Sequence, residues 1–455
     1  MTQIYQKQKE YFRSGVTLDV SWRRKQLQAL YDVIVRKEKD ITDALYKDLG
    51  KSAEESYMSE IGMVLSEITH MKKHLKRYSS RKYVSSPLAQ FPSISYEQAV
   101  PYGNVLIMSP WNYPFLLTMD PLVCAIAAGN TAVLKPGPDS PHTNQVMKEI
   151  IRELFCEEYV CLVEGGIETA DQLLNDPFDL IFFTGSTMTG RKVYEAAAGN
   201  LIPVVLELGG KSPCIVDETA DIGLSAKRIV FGKYLNCGQT CVAPDYVLVH
   251  ESVHDQLITE MKKQIVAQYG NDPLSSSCYG KIISKRHFTR LQGLIDQKKT
   301  IYGGRMDESS LRMEPVIMDH VSWSDPVMQE EIFGPILPVL TYRDYNEMVS
   351  LLQEKPNPLA LYLFTKNKEL IKIVDQKLRF GGGCINDTII HLASDSLGFG
   401  GTGESGIGKY HGKYGFEAFS HTKSIVDKKC WLDLPMRYAP YTNRLYNRLI
   451  RLFLR

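Results

Sequence analysis

Several things are missing from this chain, and each absence excludes a class. No run of about 18 apolar residues occurs, so no transmembrane helix is expected. The opening Met1-Thr2-Gln3-Ile4-Tyr5-Gln6-Lys7 lacks the apolar stretch of a signal peptide. Neither sign of charge prevails: 53 Lys and Arg face 52 Asp and Glu, for a net charge of +1. That balance argues against a nucleic-acid surface, so no nucleic-acid partner is expected. The nine cysteines are scattered, odd in number and without a Cys-x-x-Cys pair. Reduced thiols in a cytoplasmic setting fit better than a disulfide framework. The nearest metal-like spacing, Cys237-x-x-x-Cys241, has no clustered His or Cys to complete it, and no metal site is expected. Internal repeats and low-complexity tracts are absent too.

What is present is a long, ordinary globular composition. A hydrophobic share of 44% suits a soluble protein, and 455 residues exceed one core, so two or three domains are the default. The first eighty residues read as helices. Ser52 and Glu55 have the spacing of a capping box, and Met58, Ile61, Leu65, Ile68 and Leu75 recur on one helical face. Residues 83–101 carry Pro87 and Pro92 among Ser, Ile, Tyr and Val and read as an extended projection.

From residue 102 strands and helices alternate. Val105–Met108, Thr131–Lys135, Tyr159–Val163, Leu180–Phe183 and Pro203–Leu208 are short apolar strands with helices between them, from Pro114 to Ala128 and from about Pro141. Such runs indicate an α/β fold with a parallel sheet covered on both faces, a Rossmann-like nucleotide-binding architecture. A second alternating region spans 209–395, with strands at Cys214–Val216 and Tyr246–Val249, and Gly381–Asn386 closes it. The glycines from Gly398 to Gly408 then carry the chain back across a domain boundary.

Three segments carry chemistry. Cys241 lies in Asn236-Cys237-Gly238-Gln239-Thr240-Cys241-Val242-Ala243-Pro244. Glu207 lies in Leu206-Glu207-Leu208-Gly209-Gly210-Lys211, and Glu331 in Glu330-Glu331-Ile332-Phe333-Gly334-Pro335. A thiol is a strong nucleophile once a nearby base activates it. A buried structural cysteine is the bland alternative for Cys241, and Cys237, one helical turn earlier, reads as a neighbour rather than a second nucleophile. Gly185-Ser186-Thr187-Met188-Thr189-Gly190 opens a helix after a strand, as a pyrophosphate-binding turn does, although glycine also punctuates ordinary turns. It is not the usual G-x-G-x-x-G pattern.

The cysteine and glutamate segments resemble the signatures of the aldehyde dehydrogenase superfamily, and Glu330–Pro335 is similar to a third hallmark. The likeness runs from about residue 10 to 425. It is closest to the class 3 and fatty-aldehyde branch, which Lys409-Tyr410-His411-Gly412-Lys413-Tyr414-Gly415-Phe416 resembles. The resemblance implies roles. Cys241 is the nucleophile that forms a thiohemiacetal and then a thioester. Asn112, between Trp111 and Tyr113-Pro114, is the oxyanion donor together with the Cys241 backbone N–H. Glu207 deprotonates water, and Glu331 orients the nicotinamide ribose with Phe333 alongside; which glutamate activates water stays open. Trp111, Lys135, Gly185, Ser186 and Gly190 complete the cofactor site for NAD or NADP. NAD-preferring relatives usually carry a glutamate three residues after the lysine. This chain has Pro138 there and Asp139 one step on, so use of NADP is expected. Asn386 either supports the catalytic loop or is structural.

The expected architecture is an NAD(P)-binding domain of residues 1–82 and 102–208 and a catalytic domain of 209–395. A bridging arm of 83–101 with 409–425 pairs a homodimer. The expected activity is oxidation of an aliphatic aldehyde of medium or long chain, or an aromatic one, to the carboxylate. A coenzyme A-acylating relative is the rival enzyme, disfavoured because Glu207 is present. A silent protein on the same fold is the rival from another class. In residues 440–455, Arg444, Arg448, Arg451 and Arg455 share one helical face opposite Leu445, Leu449, Ile450, Leu452 and Phe453. That basic amphipathic tail either lies on a membrane surface or packs on the protein itself.

Overall fold

The computed structural model describes residues 2–454. Two sheets and a small arm organise it. The first sheet runs in the order Val160–Leu162, Thr131–Pro136, Asn104–Ser109, Leu180–Thr184, Val204–Glu207 and Gly406–Ile407. All neighbours are parallel except the last strand, which returns antiparallel beside Val204–Glu207. Alternation along each strand splits the core in two. Val105, Ile107 and Leu134 face the helices Val20–Arg36, Gly62–Tyr78 and Leu116–Ala128. Leu106, Met108, Val133, Ile181 and Phe183 face Val193 and Ala197 of the helix Thr187–Ala198. The helix Leu116–Ala128 is buried throughout and apolar except for Thr118 and Asp120.

The second sheet has seven strands in the order Thr300–Tyr302, Val316–Met318, Ile336–Tyr342, Tyr246–His250, Pro213–Val216, Ala360–Phe364 and Gly382–Ile385. Only the first of these is antiparallel. The arm is a three-stranded antiparallel sheet of Lys82–Val84, Ser93–Pro101 and Ser420–Lys428. The expected second half of the arm, 409–425, is corrected here. Gly412–Ala418 is a helix packed on Gly62–Tyr78 and Leu116–Ala128, and the arm strand starts only at Ser420.

Two helical readings also change. Ser52 does cap its helix, accepting the Glu55 N–H at 3.1 Å. The reciprocal arm of the box is missing, because Glu55 accepts the Asn236 N–H at 2.8 Å instead. Met58 leaves the apolar face: it is exposed, while Ile61, Leu65, Ile68 and Leu75 are buried. A π-turn at Tyr57–Ile61 widens the helix there and shifts the phase of what precedes it.

The C-terminal helix Arg444–Phe453 is capped by Asn443 and rests near the turns Leu88–Gln90 and Pro435–Arg437. Arg444, Arg448 and Arg451 are exposed; Arg455 lies outside the described residues. Among the described residues no helix is long and apolar enough to cross a membrane.

Candidate active site

In the first sheet the chain winds one way from Asn104–Ser109 and the other way from Leu180–Thr184. Crossovers that diverge from adjacent strands leave a crevice at their carboxyl ends. Pro110, Trp111 and Asn112 follow the first of these strands, and Gly185 and Ser186 follow the second. Gly209, Lys211, Cys241, Tyr246, Glu331 and Phe333 close the crevice from the other side. The result is a cleft of about 740 Å³. A smaller cavity of about 290 Å³ beside it is lined by Lys355, Lys377 and Arg379, and it holds none of the expected site residues.

The loop bearing Cys241 is shaped by unusual backbone. Asn236 and Cys237 have φ of 50° and 52°, so Cys237 is not one helical turn before Cys241 as its spacing implies. Gly238 follows at φ 72°, and a Cβ there would collide with the Gly334 backbone. Cys237 is buried, whereas Cys241 is partly open to the cleft. Burial pushes the Cys241 thiol up, and Glu331 and Glu207 push it further, while backbone hydrogen bonds from Cys241 and Val242 work the other way.

Glu207 ends its strand 2% exposed, and neither carboxylate oxygen has a hydrogen-bond partner among the described residues. Burial holds its pKa well above the usual carboxylate range. Glu331 is pushed up to about 8 by burial and by Asp245, against a backbone hydrogen bond from Gly210 and the charges of Lys211 and Arg290. Its carboxyl lies against Gly209, where any Cβ would strike it.

Asn112 is buried, and its Nδ2 donates to the Gln239 carbonyl at 3.0 Å. Trp111 packs edge-on against Phe333, ring centres 5.5 Å apart, and 4.8 Å from His287. Lys135 is buried at the end of its strand, donates to the Pro136 carbonyl at 3.0 Å and has its pKa lowered by burial. It does not line the cleft, nor does Gly190, which packs where a Cβ would strike Leu208. Asn386 bridges to the Thr365 backbone, accepting at 2.8 Å and donating at 3.0 Å, and so ties adjacent strand ends of the second sheet.

Sequence reasoning missed several cleft residues. His287 and Arg290 lie on the helix Lys285–Gln292, which carries no motif. Burial and the neighbouring Arg286 and Arg290 lower the His287 pKa to about 4, so its ring is neutral at pH 7. Lys211 pairs with Asp245 and donates to the Val327 and Glu330 carbonyls at 3.0 and 2.7 Å. Asp245 in turn accepts the Ile332 N–H at 2.9 Å. Together they clamp the loop that presents Glu331. Hidden by sequence separation, Glu67, Asp120 and His411 also converge within the core of the first domain. There His411 Nδ1 pairs with Asp120 at 2.9 Å, and Glu67 accepts the Gly412 N–H at 2.9 Å.

The cleft fits a dinucleotide. Thr187 and Met188, at the N-terminus of the helix Thr187–Ala198, stand on its wall and present N–H groups to an anion. The profile of the Aldehyde dehydrogenase family matches residues 1–425. The chain belongs to that family.

The enzyme is 48% identical over 438 residues to 4,4'-diaponeurosporen-aldehyde dehydrogenase of Staphylococcus aureus, covering 96% of this chain and 95% of that one. It is 42% identical over 420 residues to the dimeric NADP-preferring aldehyde dehydrogenase of Rattus norvegicus, covering 92% and 93%. It is 43% identical to aldehyde dehydrogenase family 3 member A2 of Mus musculus, covering 92% and 87%. The substrate-bound structure of Staphylococcus aureus AldH superposes with a TM-score of 0.98 at 46% identity, covering 100% and 99%. Betaine aldehyde dehydrogenase of the same organism, in complex with NAD+, superposes at 0.85 with 26% identity, covering 96% and 88%. This aldehyde dehydrogenase oxidises an aldehyde with NAD or NADP. Neither coenzyme A acylation nor a silent role finds support among these relatives.

Proposed function

We propose that Cys241, once its thiol proton has passed to a nearby base, attacks the aldehyde carbon as the thiolate, and that Glu207 later deprotonates the water that releases the acid. The observation that supports this is the convergence of Cys241, Glu207, Asn112 and Glu331 on one cleft. The carbonyl oxygen, as it gains charge, takes hydrogen bonds from Asn112 Nδ2 and the Cys241 backbone N–H. One such donor is worth on the order of 10²–10³ in rate. Bound NAD or NADP supplies the hydride acceptor for the oxidation that leaves an acyl thioester on Cys241. Glu207, in its ionised form, then takes a proton from water, the water oxygen forms the new C–O bond, and the C–S bond breaks so that the sulfur leaves as thiolate. Trp111, Gly185, Ser186, Glu331 and Phe333 hold the cofactor. Cys241→Ala tests the assignment: it abolishes aldehyde oxidation while cofactor binding persists, and substantial residual turnover overturns it.

The proposed substrate is an aliphatic aldehyde of medium or long chain, or an aromatic one, in keeping with the Trp111, Leu117, Trp323, Met328 and Phe333 side chains of the cleft. A panel of aldehydes of graded chain length, ranked by kcat/KM, tests it. Use of NADP beside NAD rests on Pro138, which neither accepts from the ribose hydroxyls nor repels a 2′-phosphate. An NADP kcat/KM more than about a thousandfold below that for NAD, about 4 kcal/mol, overturns that reading. The homodimer is supported by the arm, whose strand Ser420–Lys428 has one edge without a partner strand among the described residues. A monomer mass in light scattering overturns it.

A further inference from the structure

Beneath the cleft lies a buried network that no catalytic motif announces. Lys51 is fully buried, one residue past the left-handed Gly50 that ends the helix Glu38–Leu49. Its ammonium donates to Glu60 Oε1 at 2.5 Å and to the Asn112 backbone carbonyl at 3.2 Å. The same ammonium stands 3.9 Å from the centre of the Tyr113 ring. Those three contacts use all of its hydrogens. Glu60 lies in the π-turn Tyr57–Ile61, and its second oxygen accepts the Phe115 and Leu116 N–H groups at 2.9 and 3.2 Å. One carboxylate thus ties Lys51 to the helix start directly after Asn112.

The other side of Asn112 is held as firmly. Its carbonyl also accepts from Asn236 Nδ2 at 2.8 Å. Gln239 Nε2 donates to the Asn236 and Lys281 carbonyls at 3.0 Å each, and its Oε1 accepts the Ile283 N–H at 3.0 Å. Tyr113 Oη and Thr240 Oγ1 lie 2.7 Å apart. Asn112 Nδ2 uses one N–H on Gln239, which leaves the second for an oxyanion beside Cys241. An oxyanion donor acts through preorganisation, and a displacement of about 1 Å can cost about a hundredfold.

We propose that Lys51, held by Glu60, is a positioning residue that fixes the Asn112 backbone and so aims its side-chain amide at the oxyanion. The inference rests on the reading of Asn112 as the oxyanion donor. Lys51 touches no substrate; it acts through Asn112. Burial pushes the Glu55 and Glu60 carboxyls up, so without Lys51 they can stay neutral, which favours folding of a Lys51 variant.

The test is a double-mutant cycle on the full chain with Lys51→Met, Asn112→Ala and both together. Single-turnover hydride transfer is read with saturating NAD and a simple aldehyde, and cofactor affinity by fluorescence quenching. The expected result for Lys51→Met is a loss of about ten- to a hundredfold in the single-turnover rate with unchanged cofactor affinity. In the Asn112→Ala background the same change costs nothing more, because coupled residues are non-additive. A rate within twofold of the parent, or losses that multiply in full, overturns the role of Lys51 alone. Full activity of Asn112→Ala overturns the oxyanion reading and this inference with it. If Lys51→Met does not fold, Glu60→Gln replaces it in the cycle. That variant keeps an acceptor for the Phe115 and Leu116 N–H groups, removes the charge that holds the ammonium, and carries the same criteria.

Discussion

Burial raises the pKa of both Glu207 and Glu331, yet the two differ in what surrounds them. Among the described residues Glu207 has no partner for either oxygen, which suits a group proposed to bind and deprotonate a water. Glu331 is anchored by the Lys211–Asp245 clamp and a Gly210 backbone hydrogen bond, which suits a group that fixes a ligand. Glu207→Gln therefore gives a burst of reduced cofactor followed by a slow phase in stopped-flow absorbance. The same burst in Glu331→Gln but not in Glu207→Gln reverses the assignment. The pH response separates them again. With its pKa raised to about 8, Glu331 is mostly neutral at pH 7 and ionises as pH rises, becoming a better acceptor for ribose hydroxyls. The cofactor KM falls between pH 7 and 9 in the parent and stays flat in Glu331→Gln; parallel profiles for the two proteins exclude that role. That Cys241, Asn112 and Glu207 share one cleft was legible because each sits in a short, distinctive stretch of sequence. Lys51 and Glu60 were not, because contacts across 9 to 61 residues give them their places, nor were His287 and Arg290, which lie on a helix without a motif. Gly190, read as cofactor-binding, packs where a Cβ would strike Leu208 and does not line the cleft.

At the scale of elements, apolar runs located the parallel strands because a sheet covered on both faces buries every residue. Strand order could not be read that way, since it depends on where each helix crosses. The misplaced arm boundary and the displaced Met58 have local causes, a seven-residue helix and a π-turn. One element hides a cost. The helix Ile222–Tyr234 carries Lys233 fully inside the protein, its Nζ without a hydrogen-bond partner among the described residues. Burial pulls its pKa down to about 8, with Asp245 and Glu331 opposing and Lys211 adding to the shift. A buried polar group without a partner costs about 1–3 kcal/mol. Lys233→Met is expected to raise the melting temperature at pH 7 by about 2 °C or more. Between pH 8 and about 10.5 the unfolded lysine holds a proton that the folded one has lost, so parent stability rises with pH over that window. The variant loses that rise. Scanning calorimetry at pH 7, 8, 9 and 10 decides it: a lower melting point for Lys233→Met at pH 7 means that Asp245 and Glu331 stabilise the ammonium more than burial costs.

For the molecule as a whole, the open question is what its arm and C-terminal helix face. The helix Arg444–Phe453 has 10 residues and reaches about 15 Å, half of the roughly 30 Å of a bilayer core. Its apolar residues divide between two surroundings. Tyr446, Leu449, Ile450 and Phe453 are half-buried, and the helix rests near Leu88–Gln90 of the arm, which is the packing reading of the tail. Leu445, Leu452 and Leu454 are exposed, as are Leu88 and Phe91 of the arm and Trp431, Tyr438 and Tyr441 of the segment leading into the helix. Large apolar side chains left in water beside Arg444, Arg448 and Arg451 match an interfacial helix, with rings and leucines at the headgroup level and guanidinium groups toward anionic lipid. Single-chain amphipathic contacts of this size bind reversibly, and basic residues near the surface add about 1 kcal/mol each, lost at high salt. Peripheral attachment would bring an apolar aldehyde to the cleft from the lipid phase. The expected outcome is co-sedimentation of the full chain with vesicles containing anionic lipid, reduced by salt, by neutral lipid, and by ending the chain after Pro440. Equal sedimentation of the full and shortened chains, at matched activity on a short water-soluble aldehyde, assigns the helix to packing on its own arm and removes the membrane from the function.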